Sequence, residues 1–285
     1  MAVKNSLAKT SKKTNLTAYL TQDAVKNQIN SVIGGKDGQR FISAIVAAVN
    51  TNPSLQECTN TSILSGALLG ESLKLSPSPQ LGHYYLVPFN DKNQGKVAQF
   101  QLGYKGYIQL AIRSGMYKKL NVLAIKEGEL LRFDPLTEEI EVRLIEDEEE
   151  RENAATTGYY AMFEYTNGFK KAIYWSKAKM EAHAEKYSQG YRAKKGYTFW
   201  ERDFDAMAYK TMLRQLISKW GIMSIEMQSA MEADMAVINE DGSKNYVDNQ
   251  PDIIEAQPEP EPTPAPEAEQ PAPQEVDPAA ALFEE

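Results

Sequence analysis

Lys210 and Arg214 stand four positions apart, one helical turn, in the segment YTFWERDFDAMAYKTMLRQLI at 197–217, which opens with Tyr197, Phe199, Trp200 and Arg202. Cations stacked on a helix suit phosphates and aromatic rings suit base faces, the combination that a grip on single-stranded nucleic acid requires. More cations of this kind follow the same logic elsewhere. The phosphate-binding candidates are Lys105, Arg113, Lys118, Arg192, Lys194, Lys195, Arg202, Lys210, Arg214 and Lys219, and the base-contacting candidates are Tyr104, Gln109, Tyr197, Phe204 and Met207. A base stacked on an aromatic is worth about 1–3 kcal/mol whatever its identity, and each neutralised phosphate adds about 0.7 to the salt slope on a single strand. The competing reading puts part of the aromatics in the core and part of the cations on solvated helix faces.

Other chemistries find little support. Neither G-x-x-x-x-G-K-[ST] nor G-x-G-x-x-G occurs, and GGKDGQ at 34–39 and GYKG at 103–106 lack the pattern that cradles phosphates. Cys58, His83 and His183 are too few for a His/Cys zinc site, and a hydrolytic triad has no elbow motif to stand on. Cys58 reads as a small buried residue near a helix start, His183 as a helix-surface residue, and His83 as structural or base-contacting. The acidic runs are contiguous and read as solvated loops, whereas a Mg²⁺ site needs carboxylates converging on one point. Asp203 and Asp205 suit orienting Arg202 or capping the following helix. The expectation is a non-catalytic protein with no catalytic residue, no metal site and no cofactor, for which Mg²⁺ acts as a counterion only.

The net charge of −8 hides this basic character. Residues 240–285 hold thirteen acids against Lys244, so the remaining 239 residues carry +4, and EDEEERE at 146–152 takes six acids out of that balance. No apolar run approaches the roughly 18 residues of a membrane span, and MAVKNSLAKTSKKTN has basic residues without an apolar stretch behind them, so a cytoplasmic protein is expected.

These residues need a scaffold. Residues 1–21 read as a flexible basic arm and 240–285 as a disordered Pro/Glu-rich acidic tail ending in Ala281-Leu282-Phe283-Glu284-Glu285, leaving a core domain at 22–239. Apolar spacing predicts helices over about 22–33, 38–49 and 60–74. LGHYYLVPF and VAQFQL around the turn NDKNQGK predict a β-hairpin with Lys92 and Lys96 at its tip. A helix over 103–114 then shows a polar stripe of Lys105, Gln109 and Arg113 beside a face of Tyr104, Tyr107, Ile108, Ala111 and Ile112. Residues 120–175 read as an antiparallel β-meander with an Asn167-Gly168 turn, followed by helices from Ser176 to about Ser188, from 200 to 219, and from 224 to 238. The fold class is α+β: a β-hairpin and helix, then a small antiparallel β-meander, flanked by N- and C-terminal helices.

The blocks SPSPQLGHYYLVPF, FQLGYKGYIQLAIRSG and WERDFDAMAYKTMLRQL resemble the RecT family of phage single-strand annealing proteins, over about residues 25–235. The resemblance implies ATP-independent pairing of complementary DNA strands in phage homologous recombination, inside the bacterial host cell. It implies self-assembly into rings or helical filaments on single-stranded DNA and on the annealed duplex. Partners implied are a phage 5′-to-3′ exonuclease and the host single-strand binding protein, with neither membrane nor nucleotide. Relatives often pair two bases where this chain has Tyr209-Lys210 and Arg214-Gln215. The alternative is a passive protector of single strands that does not anneal.

Overall fold

Apolar residues at helical spacing, Val25 with Ile29 and Phe41 with Ile42, Ile45 and Val49, are buried in a computed structural model that describes residues 15–34, 37–91, 94–196 and 198–246. They build α2 (Asp23–Ile33) and α3 (Gly38–Thr51), between α1 (Leu16–Leu20) and α4 (Asn60–Ser72). Helix α1 falls within the stretch expected to be a flexible arm. Asn15 caps it by accepting from the Thr17 amide at 3.0 Å, and Leu20 is fully buried, so one cap and one leucine hold what composition alone would leave solvated. Residues 1–14 lie outside the described residues.

Strands β1 (Tyr84–Asp91) and β2 (Gly95–Leu102) form the hairpin, in register from Tyr84 opposite Leu102 to Asp91 opposite Gly95, and α5 (Tyr104–Arg113) follows. Pro88 lies within β1. At the tip, Lys92 falls outside the described residues and Lys96 pairs with Glu57. A Cβ on Gly103 would collide with the Gly82 carbonyl oxygen, and one on Gly106 with that of His83. The GYKG glycines thus let α5 start hard against the chain leading into β1. Ile112, expected on the packed face, is 60% exposed.

The second half departs from a meander. It holds β3 (Tyr117–Lys126), β4 (Leu130–Asp134), β5 (Glu139–Val142), α6 (Glu148–Asn153), β6 (Thr156–Tyr165) and β7 (Lys170–Ser176). Strand β3 pairs with β6, β6 pairs with β7 across the Asn167-Gly168 turn, and β4–β5 is a separate two-stranded hairpin inserted between β3 and β6. Glu129 explains the insertion. Its buried carboxylate accepts from the amides of Lys126 and Ile145 at 2.8 and 3.2 Å and from Arg151 Nε at 2.6 Å, closing the neck of the excursion. The acidic run is not a loop: Asp147 caps α6, and Glu148, Glu149 and Glu150 occupy its first turn, where the helix dipole favours negative charge.

Ser176 caps α7 (Lys177–Tyr187), and α8 (Gln189–Arg192) and α9 (Phe199–Arg202) precede the long α10 (Phe204–Trp220). The helix expected over 200–219 is interrupted because a Thr198–Glu201 capping box closes one start and Asp203 caps a second, accepting from the Ala206 amide at 2.9 Å. Helix α11 (Ile225–Ala233) also stops earlier than Met spacing suggested. Met235 takes φ of 68°, and the β-branched run behind it becomes β8 (Ala236–Ile238), which pairs with β2 and with β9 (Lys244–Tyr246). The sheet order is β1-β2-β8-β9, so the folded part reaches past the boundary expected at Asn239. Residues 247–285, including the terminal Leu282-Phe283, lie outside the described residues.

The chain is α+β, as its sequence indicated. Helix α10 is shared by two cores: Leu213 and Ile217 pack with α1–α5, the hairpin and α11, while Ala208, Met212 and Leu216 pack with β6, α7 and Trp200.

Candidate nucleic-acid interface

Residues one turn apart on a helix project side by side, and on α10 Met207, Lys210, Thr211 and Arg214 line a cleft of about 410 Å³. Gln99 and Gln101 of β2 form one wall, with His183 and Tyr187 of α7 and Phe199 and Trp200 of α9 opposite. Tyr85 of β1 reaches across to Phe199 with ring centres 5.9 Å apart, tying the hairpin to α9.

The floor is organised by Asp234, which is 2% exposed. One carboxylate oxygen accepts from Lys210 Nζ and the Leu102 amide, both at 2.9 Å; the other accepts from Arg214 and, at 3.3 Å, from the Tyr107 hydroxyl. A single anion therefore joins β2, α5, α10 and the end of α11. The Lys210 side chain is only 11% exposed, whereas that of Arg214 is 38% exposed. Lys210 is spent largely on the buried pair, and Arg214 keeps donors for the open side. Burial works against the Arg214 charge, but Tyr107 and Asp234 outweigh it and raise its pKa further. Two cations against one carboxylate leave the floor with a single excess positive charge.

His183 is not the surface residue its position suggested. Its ring lies 4.5 Å from Tyr187, 5.5 Å from Trp175 and 6.5 Å from Trp200. Burial, then Lys186 and Arg214, lower its pKa, so it is neutral near pH 7. His83 is held by the Ser76 amide, which donates to its Nδ1 at 3.2 Å, and is lowered by burial, then Arg113 and Lys105.

The other sequence-nominated residues are spread more widely. On α5, Tyr104 meets Tyr209 of α10 edge-on at 5.7 Å, with the Lys105 ammonium 6.0 Å from the Tyr104 ring. Arg113 donates to the Gln109 and Lys74 carbonyls at 3.2 and 3.3 Å. Lys118 lies on the other sheet, donating to Glu164 at 2.7 Å. Arg192, Lys194, Lys195 and Arg202 are exposed along the segment between α7 and α10, and Tyr197 lies outside the described residues. Phe204 packs among Tyr159, Tyr191 and Trp200, so its faces are occupied by other rings. Lys219 leans on Trp220, away from the cleft. Gln99, Gln101, Tyr187 and Asp234 escaped the sequence reading. For Asp234 a signal existed: two cations a turn apart that need a buried counter-charge, and an acid just before a strand-like AVI run.

Among the described residues no group of three or more His, Cys, Asp or Glu could hold a metal ion, and no helix is long and apolar enough to cross a membrane. Cys58 is buried beside the start of α4.

The architecture defines a class: an α+β body whose longest helix bridges two sheets and presents cations to an aromatic-walled cleft. The RecT family model matches residues 39–249, and the chain belongs to that family. It is 41% identical over 268 residues to Uncharacterized protein YqaK of Bacillus subtilis (strain 168), covering 92% of this chain and 85% of the relative. It is 29% identical over 237 residues to Protein RecT of Escherichia coli (strain K12), covering 82% of each. The family match runs through β8 and β9 and so takes in Asp234 and the strands that close the hairpin sheet.

Proposed function

We propose that this protein binds single-stranded DNA and pairs complementary strands during homologous recombination, as an oligomer and without ATP. Family membership supports the reading, and one observation carries it: Arg214, charged and part-exposed, stands at the floor of a cleft walled by Phe199, Trp200 and Tyr187. Lys105 and Arg113 on α5, and the exposed cations between Arg192 and Arg202, extend the basic surface. Pairing needs no fuel, because each stacked step returns about 1.4 kcal/mol. What opposes it is phosphate repulsion and intrastrand structure, both of which a basic cleft relieves by neutralising and straightening the strand. The protein is then a binding protein and not an enzyme. Its partners are DNA, further copies of itself, a 5′-to-3′ exonuclease that exposes single strands, and a single-strand binding protein, in the cytoplasm of a bacterial cell carrying the phage, with Mg²⁺ serving only to screen.

Mixing complementary oligonucleotides with the full chain tests this. Faster pairing than with DNA alone is expected without nucleotide, whereas a passive protector slows pairing. Arg214→Ala is expected to weaken single-strand binding and to lower the salt slope by about 0.7. An unchanged affinity and slope in that variant would remove the cleft from the reading.

A further inference from the structure

The exposed Ile112 is not isolated. Of the fifteen exposed large apolar residues among those described, seven come from three short segments: Ile112 and Met116 at the end of α5, Phe169 in the β6–β7 turn, and Trp220, Ile222, Met223 and Ile225 where α10 passes into α11. Hydrogen bonds draw these segments together. The Thr166 amide donates to the Met116 carbonyl at 3.1 Å, and the hydroxyls of Tyr117 and Tyr165 donate to the carbonyls of Ile222 and Trp220, each at 3.3 Å. The Tyr165 ring stacks on Phe169 at 6.0 Å, and α11 packs against α5. Apolar residues exposed singly are ordinary, whereas seven gathered on one face mark a surface that something else covers.

The border of this patch is basic. Lys118, Lys119 and Lys170 converge on the one carboxylate of Glu164, at 2.7, 3.9 and 3.5 Å, while Arg113 and Lys219 stand next to Ile112 and Trp220. Five cations against Glu164 and Glu226 leave three positive charges. The complement of such a face is an apolar segment bracketed by acids.

The chain carries one outside the described residues. Ala281-Leu282-Phe283-Glu284-Glu285 follows Glu275 and Asp277, and Phe283 is the sole aromatic between 247 and 285. Aromatic anchors dominate contacts of this kind. The described chain also ends close by: Lys244 of β9 pairs with Glu232, which lies seven residues along α11 from Ile225, about 10 Å at 1.5 Å per residue. The stretch from 247 to 280 has the composition of a solvated linker, and 34 residues of that kind span roughly 30–35 Å. That bridges the distance with slack and holds the segment near the patch at an effective concentration on the order of millimolar.

We propose that Leu282 and Phe283 of the same chain dock on the patch around Met116, Phe169, Ile222 and Ile225, with Glu284 and Glu285 turned to the surrounding lysines. Docking shields the patch from other copies. The inference goes beyond the reading of the cleft and does not depend on it, because the patch begins at Trp220, past Gln215, the last α10 residue that lines the cleft. A site of about millimolar affinity is then roughly half occupied, which cross-linking detects although melting barely registers it.

A benzophenone amino acid in place of Phe283 tests this in the full chain, irradiated across a dilution series. Cross-links within one chain are expected, concentrated on 112–117, 165–170 and 220–226, with a yield that dilution does not change. Ile222→Ser with Ile225→Ser should lower that yield about fivefold, the equivalent of one weakened apolar contact, and Ile222→Val with Ile225→Val should keep it. Both residues are exposed, so the core is untouched. A dye that reports apolar surface gives a second readout: the chain ending at Tyr246 should bind about twofold more of it at the patch than the full chain, and the difference should vanish with both isoleucines changed to serine. Cross-links spread over the body, gathered in the cleft, formed chiefly between chains, or absent each overturn the proposal. So does stronger labelling of the patch when the benzophenone replaces Ile254, because Ile253-Ile254 would then be the occupant.

Discussion

Asp234 shows what a single side chain can decide. Its carboxylate satisfies Lys210, Arg214, the Leu102 amide and the Tyr107 hydroxyl at once, so Asp234→Ala would leave two cations and a buried amide without their acceptor. Removing one partner of a buried pair typically costs about 3–5 kcal/mol. A urea midpoint that falls accordingly, and falls less for Asp234→Asn, is the expected result. The histidines give a second prediction. Both His83 and His183 have lowered pKa values in the folded state, so in the window below about 6.5 the unfolded chain binds more protons than the folded one. Stability should therefore rise with pH through that window and decline as pH falls from 7.5 to 5.5. His183→Gln should flatten the decline, as melting at the two pH values would show. Lys210 and Arg214 were readable in the sequence because four-residue spacing places both on one helix face. Asp234 was not, because 24 and 20 positions separate it from them and only the fold supplies the meeting. For the same reason Lys210 looked free in the sequence and proves largely enclosed.

Among the elements, α5 is the one most tightly dictated by backbone contact. Gly106→Ala would drive a methyl into the His83 carbonyl, and since backbone cannot give way as a flexible side chain does, a loss of several kcal/mol is expected in chemical unfolding, far above the roughly 1 kcal/mol that alanine usually gains over glycine inside a helix. The β4–β5 hairpin is the opposite case. It pairs with neither β3 nor β6, and its neck is closed by Glu129 and Arg151. Replacing residues 131–141 with Asn-Gly should keep the circular dichroism and melting of the remaining fold close to those of the full chain. Helix and strand identities were largely visible from periodicity. Pairing was not: local patterning marks strands, but the choice of β6 over β4 as the partner of β3 depends on a buried Glu129 whose contacts span the whole insertion. The break in the 200–219 helix was written in Thr198, Glu201 and Asp203, yet a strong apolar period concealed it.

At the scale of the molecule, charge and fold separate cleanly. Residues 247–285 carry eleven acids and no base, so a chain ending at Tyr246 has net charge +3 against −8 for the whole. Truncation there leaves every described contact in place and should not change melting. Truncation after Ala233 removes β8, β9 and Asp234 and should abolish cooperative unfolding. The Tyr246 truncation should also bind DNA faster at low salt, with the difference fading as the screening length drops below about 8 Å. Total charge masked a basic body in the sequence, and a solvated composition masked the short α1 and β9 that extend it. One consequence reaches beyond the single chain. On one side the hairpin sheet is continued by β8 and β9, and on the other its border is β1, where Pro88 offers no amide proton to a newcomer. That border therefore resists strand-upon-strand growth between one copy of the chain and another.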